Sequence, residues 1–126
     1  MRMKPLLFCA LILPLPAQSS DFWCVPDTVC VPGTCDIQIN EESSIRLTHP
    51  DSMAPSLRSH GETIAMTKTF ERSGTSQWNG VNSLGEHEAL YLDRDRMEFI
   101  YWIGGETVRN AGQEVRYKAW GRCEEQ

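Results

Sequence analysis

Beyond residue 20, apolar residues recur at every second position in short runs bounded by Gly, Pro, Asn, Asp and Ser. No window of a dozen residues places them at helical spacing. Period two is the pattern of strands with one face against a core. Phe22-Trp23-Cys24-Val25 predicts a first strand and Trp120-Gly121-Arg122-Cys123 the end of the last one. Between them, Ile37 and Ile39 predict a strand after Cys35, and Ile45 and Leu47 another after the turn Asn40-Glu41-Glu42. His49-Pro50-Asp51 ends that second run, since proline cannot donate to a ladder. The segment SMAPSLRSHG (52–61) reads as a loop with at most one helical turn. Ile64, Met66 and Phe70 mark a strand with Thr63, Thr67 and Thr69 on its other side, and RSGTSQWNGVNSLGE (72–86) reads as loop-rich.

The last third is the most regular. Leu90 and Leu92 lead through the polar turn Asp93-Arg94-Asp95-Arg96 to Met97, Phe99, Tyr101 and Ile103. A second hairpin is expected at Asn110-Ala111-Gly112, where a glycine closing a three-residue loop suits a type I turn followed by a left-handed residue. That turn would set Arg109 opposite Gln113, and hence Ile103 opposite Ala119, Tyr101 opposite Gly121, Glu106 opposite Arg116 and Trp102 opposite Trp120. Pairing through the Asp93–Arg96 turn would add His87 beside Trp102. One face of this meander would then carry a row His87, Trp102, Trp120, flanked by Ile100, Arg116 and Lys118. The fold class expected is all-β: six to eight antiparallel strands in a meander closed as a small barrel or a two-layer sandwich, with no long helix in the mature chain.

Two readings of the aromatic row follow. In the first it is covered by Phe22-Trp23 or by the Trp78-Asn79-Gly80-Val81-Asn82 segment, making a second small core. In the second it is an exposed binding surface comprising His87, Trp102, Trp120, Arg116 and Lys118, where tryptophans beside cations suit a planar ligand or a partner protein. The first needs fewer assumptions.

The N-terminal stretch changes the picture. Arg2 and Lys4 precede a short apolar run, Leu6 to Leu15, and Ala17-Gln18-Ser19 supplies small residues at a cleavage site. This is the layout of a secretory signal peptide over residues 1–19, too short in its apolar part to span a bilayer. Residues 20–126 then form a single β-domain, periplasmic or secreted and without a membrane anchor. Removing 19 of the 126 residues leaves 107, enough for one core. Loss of Arg2 and Lys4 takes the formal charge from −5 to −7. No Lys/Arg-rich block is present, so the electrostatic footprint of a nucleic-acid binder is missing.

Export also removes Cys9 and leaves Cys24, Cys30, Cys35 and Cys123. An even number of cysteines in a short exported chain points to disulfides. The gaps of five and four residues, with Pro26 and Pro32 inside them, depart from the Cys-x-x-Cys of zinc knuckles and redox motifs. Three pairings are possible; Cys24–Cys123 with Cys30–Cys35 is preferred, because it ties the first strand to the last.

Few residues of the chain are spaced for chemistry. His49, His60 and His87 each have a carboxylate nearby, but Glu86 and Glu88 point away from His87 in a strand, and two ligands do not make a site. Asp93-x-Asp95 matches a fragment of a calcium loop and reads as a turn. No nucleophile elbow or phosphate cradle occurs. No catalytic residue, metal site or cofactor is expected, and the oligomeric state is left open.

At Phe22-x-Cys24, Cys30, Cys35 and the closing Gly121-Arg122-Cys123, the chain resembles a set of uncharacterised small exported bacterial β-proteins. More distantly it is similar to periplasmic inhibitors of c-type lysozyme, although their Ser-Gly-x-x-Tyr loop is not matched by Ser83-Leu84-Gly85 and Tyr91. The function expected is a non-enzymatic binding module for a protein or another envelope component. The alternatives are a lipocalin-like carrier of a small apolar ligand and an inhibitor of a basic hydrolase such as lysozyme.

Overall fold

The computed structural model describes residues 20–35, 39, 43–104 and 115–126. Eight antiparallel strands follow one another in chain order and close on themselves: β1 (Phe22–Cys30), β2 (Ile45–Thr48), β3 (Ser56–Ser59), β4 (Glu62–Arg72), β5 (Thr75–Val81), β6 (His87–Asp93), β7 (Glu98–Ile103) and β8 (Tyr117–Glu125). Closure gives every strand a neighbour on both sides, although among the described residues β1 beyond Cys24 and β4 beyond Met66 are paired on one side only. Eight strands enclose a space that side chains can fill. Here Trp78, Tyr101, Phe99, Leu47, Leu57, Leu90 and Leu92 fill it, each almost wholly buried.

The seam between β1 and β8 carries the staple. Cys24 and Cys123 are direct cross-strand partners, both inward, and they are joined across a sequence separation of 99 residues. In the chain-entropy description, closing a loop of that length contributes about 4–5 kcal/mol. The second disulfide, Cys30–Cys35, joins residues at a sequence separation of 5 and clamps a small turn. Within it, Val31 and Thr34 exchange backbone hydrogen bonds around Pro32-Gly33, with Gly33 at a φ of 90°. Proline followed by a positive-φ glycine is the chemistry of a type II turn. The preferred pairing of the four cysteines is the one found, and the eight-stranded barrel replaces the barrel-or-sandwich alternative.

Two expected loops are strands. Leu57 is the inward anchor of β3, and Trp78 is fully buried at the centre of β5. Their other inward positions are small or polar: Ser59 in β3, Ser76 and Gly80 in β5. That is why no alternation of apolar residues announces either strand. A Cβ on Gly80 would meet the Ala65 carbonyl at 2.5 Å and Met66 Sδ at 2.6 Å, so the missing side chain is what lets β4 and β5 pack. Tight turns join the neighbouring strands: His60-Gly61 and Ser73-Gly74 all have positive φ, as two-residue type I′ hairpins require. Phe70 faces outward, because a bulge between Lys68 and Phe70 reverses the side on which β4 presents its residues. Ile39 packs against the core outside any strand, while Ile37 and the Asn40–Glu42 turn lie outside the described residues.

One end of the barrel is closed by charge. Trp78 donates its indole N–H to the Pro50 carbonyl at 2.9 Å, and the Arg94 guanidinium lies over both Trp78 and Phe22. Arg94 and Lys68 converge on Asp51 at 2.7 and 2.6 Å. Burial pushes the Asp51 carboxyl upward, but the hydrogen bonds from Arg94 and Lys68 outweigh it, and the group is held below its ordinary value.

Candidate functional site

The outward face of β6, β7, β8 and β1 carries the expected aromatic residues in a different order. Trp120 stands opposite Ile100 on β7 and Thr28 on β1, and Ile100 stands opposite Tyr91 on β6. Trp102 stands one rung away, between Ala89 and Lys118. The two tryptophans therefore share a face and are diagonal neighbours rather than partners. Tyr101 lies opposite Ala119, and Gly121 opposite Phe99 and Pro26. A Cβ on Gly121 would come within 2.8 Å of the β1 backbone, which bulges between Pro26 and Thr28, so the missing side chain is what lets β8 pack against β1 there.

The expected pairing between β7 and β8 is thus slipped by two residues, and so is that between β6 and β7. A two-residue slip keeps every side chain on its own face, so the hydrophobic pattern does not detect it. At the β6–β7 turn the cause is visible: Asp93 Oδ1 accepts the amides of Asp95 and Arg96 at 3.0 and 3.1 Å. The chain then takes a positive φ at Met97, and Asp93 pairs with Glu98 instead of Arg96. The β7–β8 turn, with Glu106 and Asn110-Ala111-Gly112, lies outside the described residues.

His87 and Arg116 leave the row. His87 pairs with Val81 and accepts the Gly104 amide on its carbonyl at 2.9 Å, beyond the rung of Trp102. Arg116 is gripped by Glu86 at 2.6 and 2.9 Å, and this pairing lowers the Glu86 carboxyl and raises the guanidinium. Lys118 stays, its ammonium 5.5 Å from the Trp120 ring centroid. Nor is the row roofed by the expected segments, because Phe22 and Trp78 are both core residues of the barrel.

What the face presents is a groove of about 570 Å³ with Tyr91, Ile100 and Trp120 on its floor. Ile100 is 37% and Trp120 36% exposed. Asp27, Asp93 and Glu98 line the rim with Lys118 and Arg122, giving three carboxylates to two cations. Asp27 has no cationic partner among the described residues.

A second feature, missed in the sequence, runs through the barrel near its other end. Tyr101 donates its hydroxyl to the buried Glu88. Ser59 Oγ lies 3.0 Å from that hydroxyl and 2.7 Å from His60 Nδ1. Each hydroxyl has one proton. With Tyr101 giving its own to Glu88, Ser59 must donate to Tyr101, and the His60 proton must sit on Nδ1. Asn82 completes the chain by donating to the other Glu88 oxygen at 2.9 Å. Burial, and then the Glu88 carboxyl, hold the Tyr101 phenol far above its ordinary value. The signal available was parity: Glu88 shares the inward side with Leu90 and Leu92. The three histidines sit apart, at the end of β2, in the β3–β4 turn and at the start of β6. Among the described residues, no group of three or more metal-ligating side chains is gathered.

The chain matches no protein-family model, no curated protein and no solved structure.

Proposed function

We propose that this chain is an exported, non-enzymatic binding module of the cell envelope, and that the groove over Tyr91, Ile100 and Trp120 takes a partner protein. The observation that carries the reading is the direct pairing of Ile100 with Trp120 on an outward face, each about a third exposed. Apolar side chains paired at the floor of a charged rim are the anatomy of an interaction hot spot. The rim favours a partner that offers an apolar side chain next to lysine or arginine, since Asp27 on that rim has no cationic partner among the described residues. Two disulfides fit an oxidising compartment, and an envelope protein is what such a module would meet there. A basic hydrolase such as lysozyme belongs to this partner class. The packed interior favours the outer face over a carrier that holds its ligand inside the barrel.

The test is a photo-crosslinking amino acid placed at Ile100 and, as a control, at the outward Phe70. The proposal expects one discrete protein adduct from position 100 and none from position 70. Equal labelling from both positions, or a glycan adduct in place of a protein, contradicts it.

A further inference from the structure

Arg46 and Arg58 are direct cross-strand partners on β2 and β3, and both point outward. Like charges directly opposite each other destabilise a sheet. The pair is out of keeping with a chain of formal charge −5. The other cations that meet a polar side chain among the described residues are Lys68, Arg94, Arg96 and Arg116, and each meets a carboxylate. Arg46 and Arg58 instead meet neutral oxygens: Gln126 Oε1 at 2.6 Å and Thr63 Oγ1 at 3.1 Å. These contacts fix the guanidiniums in place without neutralising them. Trp23 adds to this on Arg46, its ring centroid 5.4 Å from the guanidinium carbon. The nearest carboxylate on this row of the sheet is Glu124, separated from Arg46 by Trp23.

The two arginines face a pocket of about 460 Å³ whose walls also include Trp23, Ser44, Ser59 and His60. Two positioned guanidinium forks on one wall of a pocket match the acceptor geometry of an oxyanion. Two positive charges match a doubly charged one, whereas a single carboxylate would leave one arginine uncompensated. We propose that this pocket is a phosphate-binding site, with Arg46 and Arg58 as its charged donors. It is separate from the Trp120 groove and does not depend on it.

The test is a titration of the isotope-labelled full chain with inorganic phosphate at constant ionic strength, reading the side-chain Nε–H resonances of Arg46 and Arg58 by NMR. Saturable shifts of both resonances are expected, with none from acetate or chloride at the same ionic strength. The exposed Arg58→Gln should weaken phosphate binding at least tenfold, while Arg72→Gln on β4 should leave it unchanged. Shifts that never saturate, that acetate reproduces, or that survive in Arg58→Gln would overturn the site. Vesicles of anionic and neutral phospholipid then identify the source. Sedimentation with anionic vesicles that Arg58→Gln abolishes assigns a lipid headgroup, and free-phosphate binding without it assigns a soluble phosphate ester.

Discussion

Tyr101 and Tyr117 are inward neighbours on β7 and β8, their rings 6.0 Å apart, yet only one phenol is engaged. Tyr101 Oη bridges Ser59 and Glu88, whereas Tyr117 Oη is buried with no hydrogen-bond partner among the described residues. The two hydroxyls should therefore respond in opposite ways to removal. Tyr101→Phe takes one hydrogen-bond partner from a buried serine and one from a buried carboxylate, and should cost roughly 1–3 kcal/mol. Tyr117→Phe removes a hydroxyl whose burial goes uncompensated, and should be neutral or stabilising. Urea denaturation of the two variants beside the parent protein reads the difference. A larger loss from Tyr117→Phe than from Tyr101→Phe would contradict the hydrogen-bond assignment.

The two disulfides should differ in the same kind of experiment. Replacing Cys24 and Cys123 by alanine reopens the barrel seam and releases the long loop, at a cost of about 4–5 kcal/mol in the chain-entropy description. Replacing Cys30 and Cys35 releases only a six-residue turn, at about 2 kcal/mol. Thermal melts of the two double variants should therefore separate widely, with the first close to unfolded at 37 °C. Equal losses would mean that the seam holds without its covalent link.

The charged cap should give the protein a pH dependence of definite sign. In the folded chain Asp51 is held below its ordinary value, so its contribution is complete above roughly pH 4 and drains away as the pH falls further. Tyr101 and Tyr117 are raised, chiefly by burial, so their contribution is complete below roughly pH 10 and is lost as the pH rises beyond it. Melting temperature against pH should fall at both ends. Asp51→Asn should flatten the acid side, and Tyr101→Phe the alkaline side. An unchanged acid limb in Asp51→Asn would show that Lys68 and Arg94 do not stabilise the fold through that carboxylate.

How far the sequence reached depended on what each strand turns inward. The inward series Phe99, Tyr101 and Ile103 in β7 and Tyr117, Ala119 and Cys123 in β8 declare themselves by alternation. β3 and β5 each turn one large apolar residue inward, Leu57 and Trp78, among serines and glycine that make room for it, and so they imitate loops. For the groove, the outward position of Trp120 was legible, but its partner was not. Facing is a matter of parity, whereas register rests on long-range facts such as Cys24 opposite Cys123 and on the Asp93 side chain wrapping its turn. The buried Glu88 chain was readable in principle from parity with Leu90 and Leu92. The meeting of Arg46 with Arg58 was not, because it depends on a β3 that the sequence disguises.

The central claim is that the Ile100–Trp120 face binds a partner protein, and the most direct measurement is a matched capture from envelope extract. The parent protein, the double variant Ile100→Asp/Trp120→Ala and the control Phe70→Ala are immobilised at equal density, after melts have confirmed that all three are folded. The account predicts that one protein is retained by the parent and by Phe70→Ala and lost from the double variant. Retention of the same proteins by all three would contradict it.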